Sequence, residues 1–593
     1  MSRFHQLKSL PALAITISLV GILIAQVVFI YPELDAADGV INGDGRGYYD
    51  YLTSVFIDHD LQAQPVNDRF ILEYKDKGVN KYFYGTGLLM LPFFLLAMLI
   101  ALIAGAPMDA LSWPFQWSMT LSAAVYWMIG LVFLSKLLKS FQVKDSLIAV
   151  ALLVLTVGSN ALYYTSVDCT ASHVYSFAAI AGFLWMAKQW LDSNKAHHFF
   201  LTLLVLGLIV SIRPVNGLVL FFLPGLAKDA QSVSSRLIGL FRHPLRLLVG
   251  LLIALMLPAV QLLFYKLQTG DWIVWSYANE GFYFSDPAWW KFLFSFERGW
   301  MVYSPVFLLL LPAFALLIKA SPWRGIGWTT WFILVVYILS AWWSWHYGGS
   351  FGSRPMIDFY VCFMLIIVLG WRPLLEKLVV RRVLLMVIML FTLLNVSQVY
   401  QVQAGIITPW HMNLGKYFWT IGKLDESDEE RLGGRNDTPP FHQHSEVWYD
   451  EQPVVSSDDP HWSFIRTDGD VLVFDQEIEF NGSFTYTIRR EASVYLGFEL
   501  ELERLEHELN AASEAYVVIE AVDPDGERYH YDAFFINDYP VGNTETWKAW
   551  RYRYVIPQKV ETGDEVALYF WNKGAGQFEL RDLHLKLRAY SNE

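Results

Sequence analysis

Eleven apolar runs of roughly twenty residues each govern what this chain can fold into. They recur near 11–31, 84–105, 114–134, 146–165, 174–190, 199–226, 247–268, 301–319, 326–343, 356–371 and 382–402. A helix rises ~1.5 Å per residue, so each run is near the length that crosses ~30 Å of hydrocarbon. Soluble domains rarely reach a composition that is 54% hydrophobic and 16% aromatic over 593 residues. The expected architecture is a polytopic α-helical membrane bundle of about 11–13 transmembrane helices, followed by an extracytoplasmic antiparallel β-sandwich.

Charge divides the chain the same way. The net charge is -13, and Gln403 to Glu593 carries 36 acidic against 17 basic residues, which leaves the rest slightly basic. Nucleic acid is excluded as a partner, because binding it needs clustered Lys and Arg. The two cysteines, Cys169 and Cys362, lie in or beside apolar runs, so no disulfide framework is expected. The N-terminus "MSRFHQLKSLPALAITISLVGILIAQVVFIY" has a short basic start and then a long apolar run. It reads as an uncleaved membrane helix that begins in the cytoplasm, since a signal peptide has a shorter core and a small-residue cleavage site.

Basic loops orient the bundle. "SKLLKSFQVK" (135–144), "KDAQSVSSRLIGLFRHPLR" (228–246), "SPWRG" (321–325) and "RPLLEKLVVRR" (372–382) are assigned to the cytoplasm. The loops 32–83, 163–173, 268–300 and 344–355, and everything after about 403, then face outward. "IRPVNG" breaks the run 199–226 into two short helices with Arg213 at the tip, since Pro interrupts a helix and Arg is costly in lipid. Helix parity conflicts with the charge rule unless 84–105 is re-entrant or lies along the membrane, which Pro92, Gly85, Gly87 and Gly105 permit.

Past residue 402 the character changes. "LDESDEERLGGRNDTPP" is charged and rich in Gly and Pro, and 403–459 is expected to be a linker. From 460 to 593, segments such as "SVYLGFELEL", "AYVVIEAV" and "EVALYFWN" alternate with period two between turns such as "DPDG", the pattern of an antiparallel β-sandwich. "ELERLEHELNAASEA" is expected to be a short helix or a charged loop.

Chemistry-bearing residues gather in the outer loops. In "INGDGRGYYDYL" (41–52), Asp44 is a carboxylate placed to accept a proton from a hydroxyl, and Arg46 suits a phosphate. The plain alternative is a solvated Gly-Asp-Gly turn. A calcium loop is argued against by Arg46 at the fifth place and Thr53 at the twelfth. Lys81, before an apolar run, suits a lipid-linked phosphate or simply snorkels to the interface. Asp168 and His173 in "YYTSVDCTASHVYSF" suit a sugar or a proton shuttle, or else a hydrogen-bonded helix cap. Glu280 and Arg298 lie in an aromatic-rich stretch that reads equally as a carbohydrate groove or an aromatic belt. His346 and Arg354 in "AWWSWHYGGSFGSRPMIDFY" face outward, and the Arg fork matches two phosphate oxygens. Polar clusters from several loops on one side suggest an active site there.

"NGDGRGYYDYL", "NKYFYGTGLLMLPFFLLA", "YYTSVDCTASHVYSF", "GLIVSIRPVNGLVL", "ERGWMVYSPVFLLLLPAF" and "WWSWHYGGSFGSRPMIDF" together resemble GT-C class glycosyltransferases, of the protein mannosyltransferase and aminoarabinose-lipid transferase type. The resemblance covers most of 10–400. It implies transfer of a sugar from a polyprenyl-phosphate donor to a lipid, glycan or protein acceptor at the extracytoplasmic face. It maps the family's first-loop acid onto Asp44 and the lysine of its second stretch onto Lys81. Two departures bear on the donor and on any metal. Gly45 and Arg46 follow Asp44 where an Asp-Glu or Asp-x-Asp pair is common, and Lys-Tyr-Phe replaces Lys-Pro-Pro. Members using monophosphate donors often need no metal, so no metal and no cofactor beyond the lipid-linked donor are expected. The sandwich looks like a carbohydrate-binding module.

The expected assignment is Asp44 as the catalytic acid-base group, Lys81, Arg354, Arg298 and Arg46 around the donor phosphate, and Asp168, His173, Glu280, His346 and Arg213 around substrate. The expected location is a bacterial inner membrane. Two other classes remain open: a transporter or flippase of lipid-linked saccharides, which needs polar groups at mid-membrane depth, and a membrane-anchored glycan-binding protein.

Overall fold

The computed structural model describes residues 9–30, 39–60, 71–74, 77–277, 280–408, 412, 414–425, 444–453, 459–507, 515–536 and 546–591. The basic start at 1–8, parts of the expected first outer loop (31–38, 61–70), the charged stretch 426–443 and the tail of "ELERLEHELNAASEA" at 508–514 lie outside the described residues. The chain divides into two compact units. One comprises Met1–Ala278, Phe282–Phe294 and Gly299–Val399, the other Asn279–Gly281, Ser295–Arg298 and Tyr400–Glu593.

The first unit is helical. Its elements begin with α1 Leu10–Ile30, α2 Gly43–Phe56, α3 Gly85–Ala104, α4 Trp113–Ser140, α5 Asp145–Val157, α6 Ala161–Ser166, α7 Ser172–Ser193 and α8 Ala196–Ile212. A 3-10 helix Pro214–Leu226, α9 Ala230–Phe241 and α10 Pro244–Thr269 follow. A small hairpin, β1 Ile71–Tyr74 with β2 Lys77–Asn80, sits between α2 and α3. Among the described residues, six helices are long and apolar enough to cross a membrane: α1, α3, α4, α10, Arg354–Trp371 and Leu378–Gln403. Four shorter apolar helices accompany them. Together they make this an integral membrane protein.

Burial shows which faces meet lipid. In α1 the buried residues Ala14, Ser18, Ile22, Gln26 and Ile30 form one stripe at a spacing of four, while Ile17, Val20, Ile24 and Val28 on the other faces are exposed. Gln26, at the low-lipid face, donates to the carbonyls of Thr120 (2.9 Å) and Thr165 (2.7 Å), pinning α1 to α4 and α6. By contrast, Tyr360–Trp371 is buried nearly all round, as an apolar helix must be at the centre of a bundle. α10 approaches α8 at Gly207, where a Cβ would lie 2.5 Å from the Ala254 carbonyl oxygen, so only glycine admits this contact.

The break at "IRPVNG" is present, with α8 ending at Ile212 and the 3-10 helix starting at Pro214. Irregular backbone at membrane depth needs partners for its carbonyls. Indoles provide them: Trp331 donates to Leu218 (3.0 Å) and Trp328 to Phe222 (3.0 Å). Arg324 donates to Gly225 (2.8 Å).

Two expectations are corrected here. Of the two alternatives for 84–105, re-entrant or lying along the membrane, the structure overturns the re-entrant one. The segment is α3, a continuous 20-residue helix that runs through Pro92 and stops at Gly105 in the left-handed region (φ 67°). Pro92 lies about two turns inside α3, and membrane helices tolerate the donor it lacks. The glycine-rich stretch "NGDGRGYYDYL" is not a loop either. From Gly43 onward it is helical, because burial of Gly47 to Ser54 on all sides, the three tyrosines among them, outweighs the poor helix propensity of glycine.

The second unit is a β-sandwich. Its strands are β3 His444–Glu451, β4 Trp462–Ser463, β5 Thr467–Asp468, β6 Val471–Phe474, β7 Phe480–Thr487, β8 Ser493–Glu506, β9 Ala515–Val522, β10 Arg528–Phe535, β11 Lys548–Val555, β12 Val560–Glu561, β13 Glu565–Asn572 and β14 Phe578–Ser591. One sheet has the order β10-β9-β13-β7-β4, and the other β11-β8-β14-β6-β5, with β3 on β14 and β12 on β8. Every pairing is antiparallel. Inward residues of both sheets, among them Leu472, Phe498, Leu500, Ile519, Leu568 and Leu585, share one core.

Two readings of the sequence fail in this unit. The stretch 403–459 holds a helix, Leu414–Thr420, and β3, so it is more than a linker. β3 was masked by its composition: it runs beside β14 and buries only Tyr449, leaving its acidic residues in water. The first half of "ELERLEHELNAASEA" is neither helix nor loop but the end of β8, with Leu502 and Arg504 alternating inward.

Candidate active site

α2 carries the first candidate and is fixed from several directions. Gln116 accepts from the backbone N–H groups of Val40 (2.9 Å) and Ile41 (3.2 Å) just before it. Asn80 donates to the Gly47 carbonyl (2.9 Å), Tyr51 to that of Tyr82 (2.8 Å) and Tyr49 to that of Ala110 (2.7 Å). The helix passes so near Thr170 that a Cβ on Gly45 would meet the threonine Oγ1 at 1.9 Å. Gly45 is therefore a packing glycine.

Asp44 lies in the first turn of α2, where free N–H groups favour a negative charge. Its Oδ1 accepts from the Tyr82 hydroxyl at 2.7 Å, and its Oδ2 pairs with Arg354 Nη2 at 2.5 Å. Burial works to raise the carboxyl. The Arg354 guanidinium, the Tyr82 hydrogen bond, and the charges of Lys81 and His173 outweigh it and hold Asp44 below the usual carboxylate range. The Lys81 ammonium lies over the rings of Tyr277 (5.4 Å) and Tyr82 (5.8 Å). Tyr82 itself packs on Tyr48 at 4.8 Å between centroids. Burial and the Asp44 charge push the Tyr48 hydroxyl up to about 12, so it stays a neutral donor at physiological pH.

Arg354 reaches this point from far along the chain. It opens the 3-10 helix Arg354–Phe359 after a turn in which Gly348 (φ 74°) and Gly352 (φ 63°) take the left-handed region. Asn160 donates to the Phe351 carbonyl (3.0 Å), and the Phe351 N–H donates to the Tyr164 hydroxyl (3.1 Å). α6 and the residue before it thus support the arginine loop, and the turn from α6 to α7 follows directly. Asp168 in that turn feels the same charges. Burial raises its carboxyl to about 6, with Asp44 adding to the rise and Arg354 opposing it.

Beside this cluster, Asp358 is fully buried and accepts from His173 Nδ1 (2.8 Å) and Arg213 Nη1 (3.0 Å). Arg213 also lies over the Tyr347 ring at 6.0 Å. The break after α8 therefore aims Arg213 inward to a carboxylate, the arrangement a charged residue at such depth requires.

Asp44, Lys81, Arg354, Asp168, His173 and Arg213 thus belong to one network of contacts and electrostatic neighbours. Four other sequence candidates have different surroundings. Arg46 is engaged by Asp50, one turn along α2, at 2.8 Å. In a helix, residues four apart share a face, so Arg46 meets Asp50, while Asp44, two residues before it, lies on another side. His346 is buried, with its ring against Trp345 and its carbonyl accepting from Ser350 (3.0 Å). Glu280 and Arg298 belong to the second compact unit, where Arg298 is buried. Sequence reasoning missed Tyr82 and Asp358. Asp358 could have been suspected as an acid inside an apolar run, whereas Tyr82 is one of many aromatics near a membrane boundary. Among the described residues, no group of three or more His, Cys, Asp or Glu side chains is arranged to hold a metal ion.

A scan of protein-family profiles and a search of curated proteins return no match. Among solved structures, the chain is similar to the archaeal oligosaccharyltransferase AglB from Archaeoglobus fulgidus, in complex with an inhibitory peptide and a dolichol-phosphate. The identity is 12%, over 68% of this chain and 56% of that one, with a TM-score of 0.42. The apo form of the Archaeoglobus fulgidus oligosaccharyltransferase is similar at 12% identity, 65% and 52% coverage and a TM-score of 0.40. The arabinosyltransferase EmbB from Mycobacterium smegmatis is similar at 10% identity, over 100% of this chain and 65% of that one, with a TM-score of 0.43. The chain thus spans between half and two thirds of the length of each of these structures. All are GT-C class membrane glycosyltransferases.

Proposed function

We propose that this chain is an integral membrane glycosyltransferase that moves a sugar from a polyprenyl-phosphate-linked donor to a lipid, glycan or protein acceptor. The observation that carries this reading is the Asp44 site: an ionised carboxylate in contact with Arg354, in the field of Lys81, at the boundary of an apolar bundle. An acid next to cations, beside membrane helices, matches a substrate with a hydroxyl, a phosphate and a lipid tail. The motifs shared with GT-C enzymes in the sequence support the same assignment.

In this mechanism the acceptor oxygen bonds to the anomeric carbon as the bond from that carbon to the phosphate oxygen breaks. The electron pair leaves on the phosphate. Asp44 orients the acceptor hydroxyl and takes its proton. Lys81 and Arg354 meet the negative charge that grows on the departing phosphate, and preformed cations in a water-poor site stabilise it most in the transition state. Arg354 moves from Asp44 toward the phosphate as the donor binds, which frees a carboxylate oxygen for the acceptor. Asp358 holds Arg213 and His173 beside the phosphate position. Arg46, engaged by Asp50, is outside this set.

The test is incubation of the purified protein with a labelled polyprenyl-phosphate sugar and candidate acceptors. Labelled product that is lost in Asp44→Ala, with membrane insertion unchanged, supports the assignment. Movement of the intact lipid-linked sugar across the bilayer without turnover rejects it in favour of a transporter.

A further inference from the structure

The connection between the 3-10 helix Pro214–Leu226 and α10 carries a surface that the transfer site does not use. Both flanking helices are apolar, so α9 joins two membrane segments at the same water boundary. At 12 residues it spans ~18 Å, too short to cross ~30 Å of hydrocarbon. Asp229 caps its start by accepting from Ser232 N at 2.8 Å.

α9 has three faces. The first turns to the bundle: Leu240 packs with Trp190 and Phe199, and Arg236 Nε donates to the Leu191 carbonyl at 3.1 Å. The second is apolar and exposed: Leu237 is 48%, Ile238 52% and Phe241 73% exposed, within an arc of ~100° at 100° per residue. Leu245, at the start of α10, continues it at 71%. The third face is polar, with Gln231, Ser235 and the C-terminal Arg242. Basic residues frame the segment: Lys228, Arg236, Arg242 and Arg246, against Asp229 as the sole acid in 228–246.

We propose that α9 lies flat in the membrane–water interface and selects anionic lipid headgroups. Three apolar side chains this exposed are stable beside acyl chains and not in bulk water. The basic frame sits at headgroup level, where cations gain from a negative lipid surface. Arg324, bonded to the carbonyls of Gly225 (2.8 Å) and Ala227 (3.2 Å), fixes the depth at which the segment leaves the bundle. This inference is independent of the transfer chemistry.

The test uses the full-length protein equilibrated with equal parts phosphatidylcholine and phosphatidylglycerol, then stripped of bulk lipid, with bound lipid read by native mass spectrometry. The wild type retains phosphatidylglycerol preferentially. Each removed cation lowers that preference about fivefold, so Lys228→Gln with Arg242→Gln loses more than tenfold. Ile238→Ser with Phe241→Ser lowers retention of both lipids at this segment. Lys139→Gln with Lys144→Gln, in a different basic loop, leaves the preference unchanged. Unaltered preference in the Lys228/Arg242 variant, eluting from gel filtration like wild type, overturns the proposal. So does an equal loss in the Lys139/Lys144 variant.

Discussion

Arg354 donates to Asp44 across 310 positions of sequence, at 2.5 Å. The pair joins the first turn of α2 to the start of the 3-10 helix at 354, and every expectation for the site follows from it. Removing the carboxylate removes the proton acceptor and releases the arginine.

Asp44→Asn therefore keeps the shape and loses the charge. Loss of a positioned general base costs ~10²–10⁴-fold, and the drop should appear in kcat with little change in donor KM. Single-turnover transfer from a labelled donor measures it. A variant within threefold of wild type would remove Asp44 from the chemistry.

Arg354→Lys keeps the charge and loses the fork. Because Arg meets two oxygens at once and Lys meets one, transfer should fall by ~10–100-fold even at saturating donor. Lys81→Gln should act mainly on donor binding, raising KM by ~10-fold through loss of ~1–2 kcal/mol of charge-assisted contact. Steady-state kinetics with varied donor separate the two effects.

Asp168 predicts a pH dependence. Its folded value is raised to about 6, above the ordinary aspartate value of 3.8, chiefly by burial. A raised acid contributes stability that is complete below the ordinary value and is lost as the pH climbs through about 6. Ionisation also adds a negative charge where the phosphate binds. Donor affinity should therefore weaken as pH rises from 5 to 7, and Asp168→Asn should flatten that slope. A titration of donor Kd against pH, run beside a Tm series, tests both signs.

Gly45→Ala tests the packing of α2. The added Cβ would sit 2.4 Å from Thr170 Cβ, so the helix has to move. Overpacking of this kind costs ~1–3 kcal/mol, and the shift carries Asp44 with it. Both Tm and activity should fall. Gly43→Ala meets no atom within 4 Å, but its backbone has φ 50°, so its loss should be limited to the strain of that conformation.

Asp358→Asn probes the buried support. Taking one partner from a desolvated charge pair costs ~3–5 kcal/mol, so Arg213 and His173 should lose their positions together. The expected result is a lower Tm, with donor binding weakened more than the loss of stability explains.

Residue chemistry alone identified long apolar helices, an acidic sandwich at the C-terminal end and the break at Arg213. Each is a local pattern: a run long enough for a bilayer, period-two alternation, a Pro-Val-Asn-Gly interruption. It also picked Asp44, Lys81, Asp168, His173, Arg213 and Arg354 as residues out of place beside lipid. The helical state of "GDGRGYYDYL" was not legible, because glycine propensity argued against it and only the burial of Tyr48, Tyr49 and Tyr51 reversed that. β3 was hidden for the opposite reason: an edge strand buries one residue and leaves its charges in water.

The sequence by itself decided that this chain must enter a membrane and which charged residues had to be explained there, since hydrophobic length and isolated charge are properties of short segments. Only the tertiary structure decided that Arg354 meets Asp44, that Arg46 belongs to Asp50, and that Tyr82 and Asp358 complete the network. Those choices depend on which distant turns the packed bundle brings within ~3 Å, and no local pattern records that.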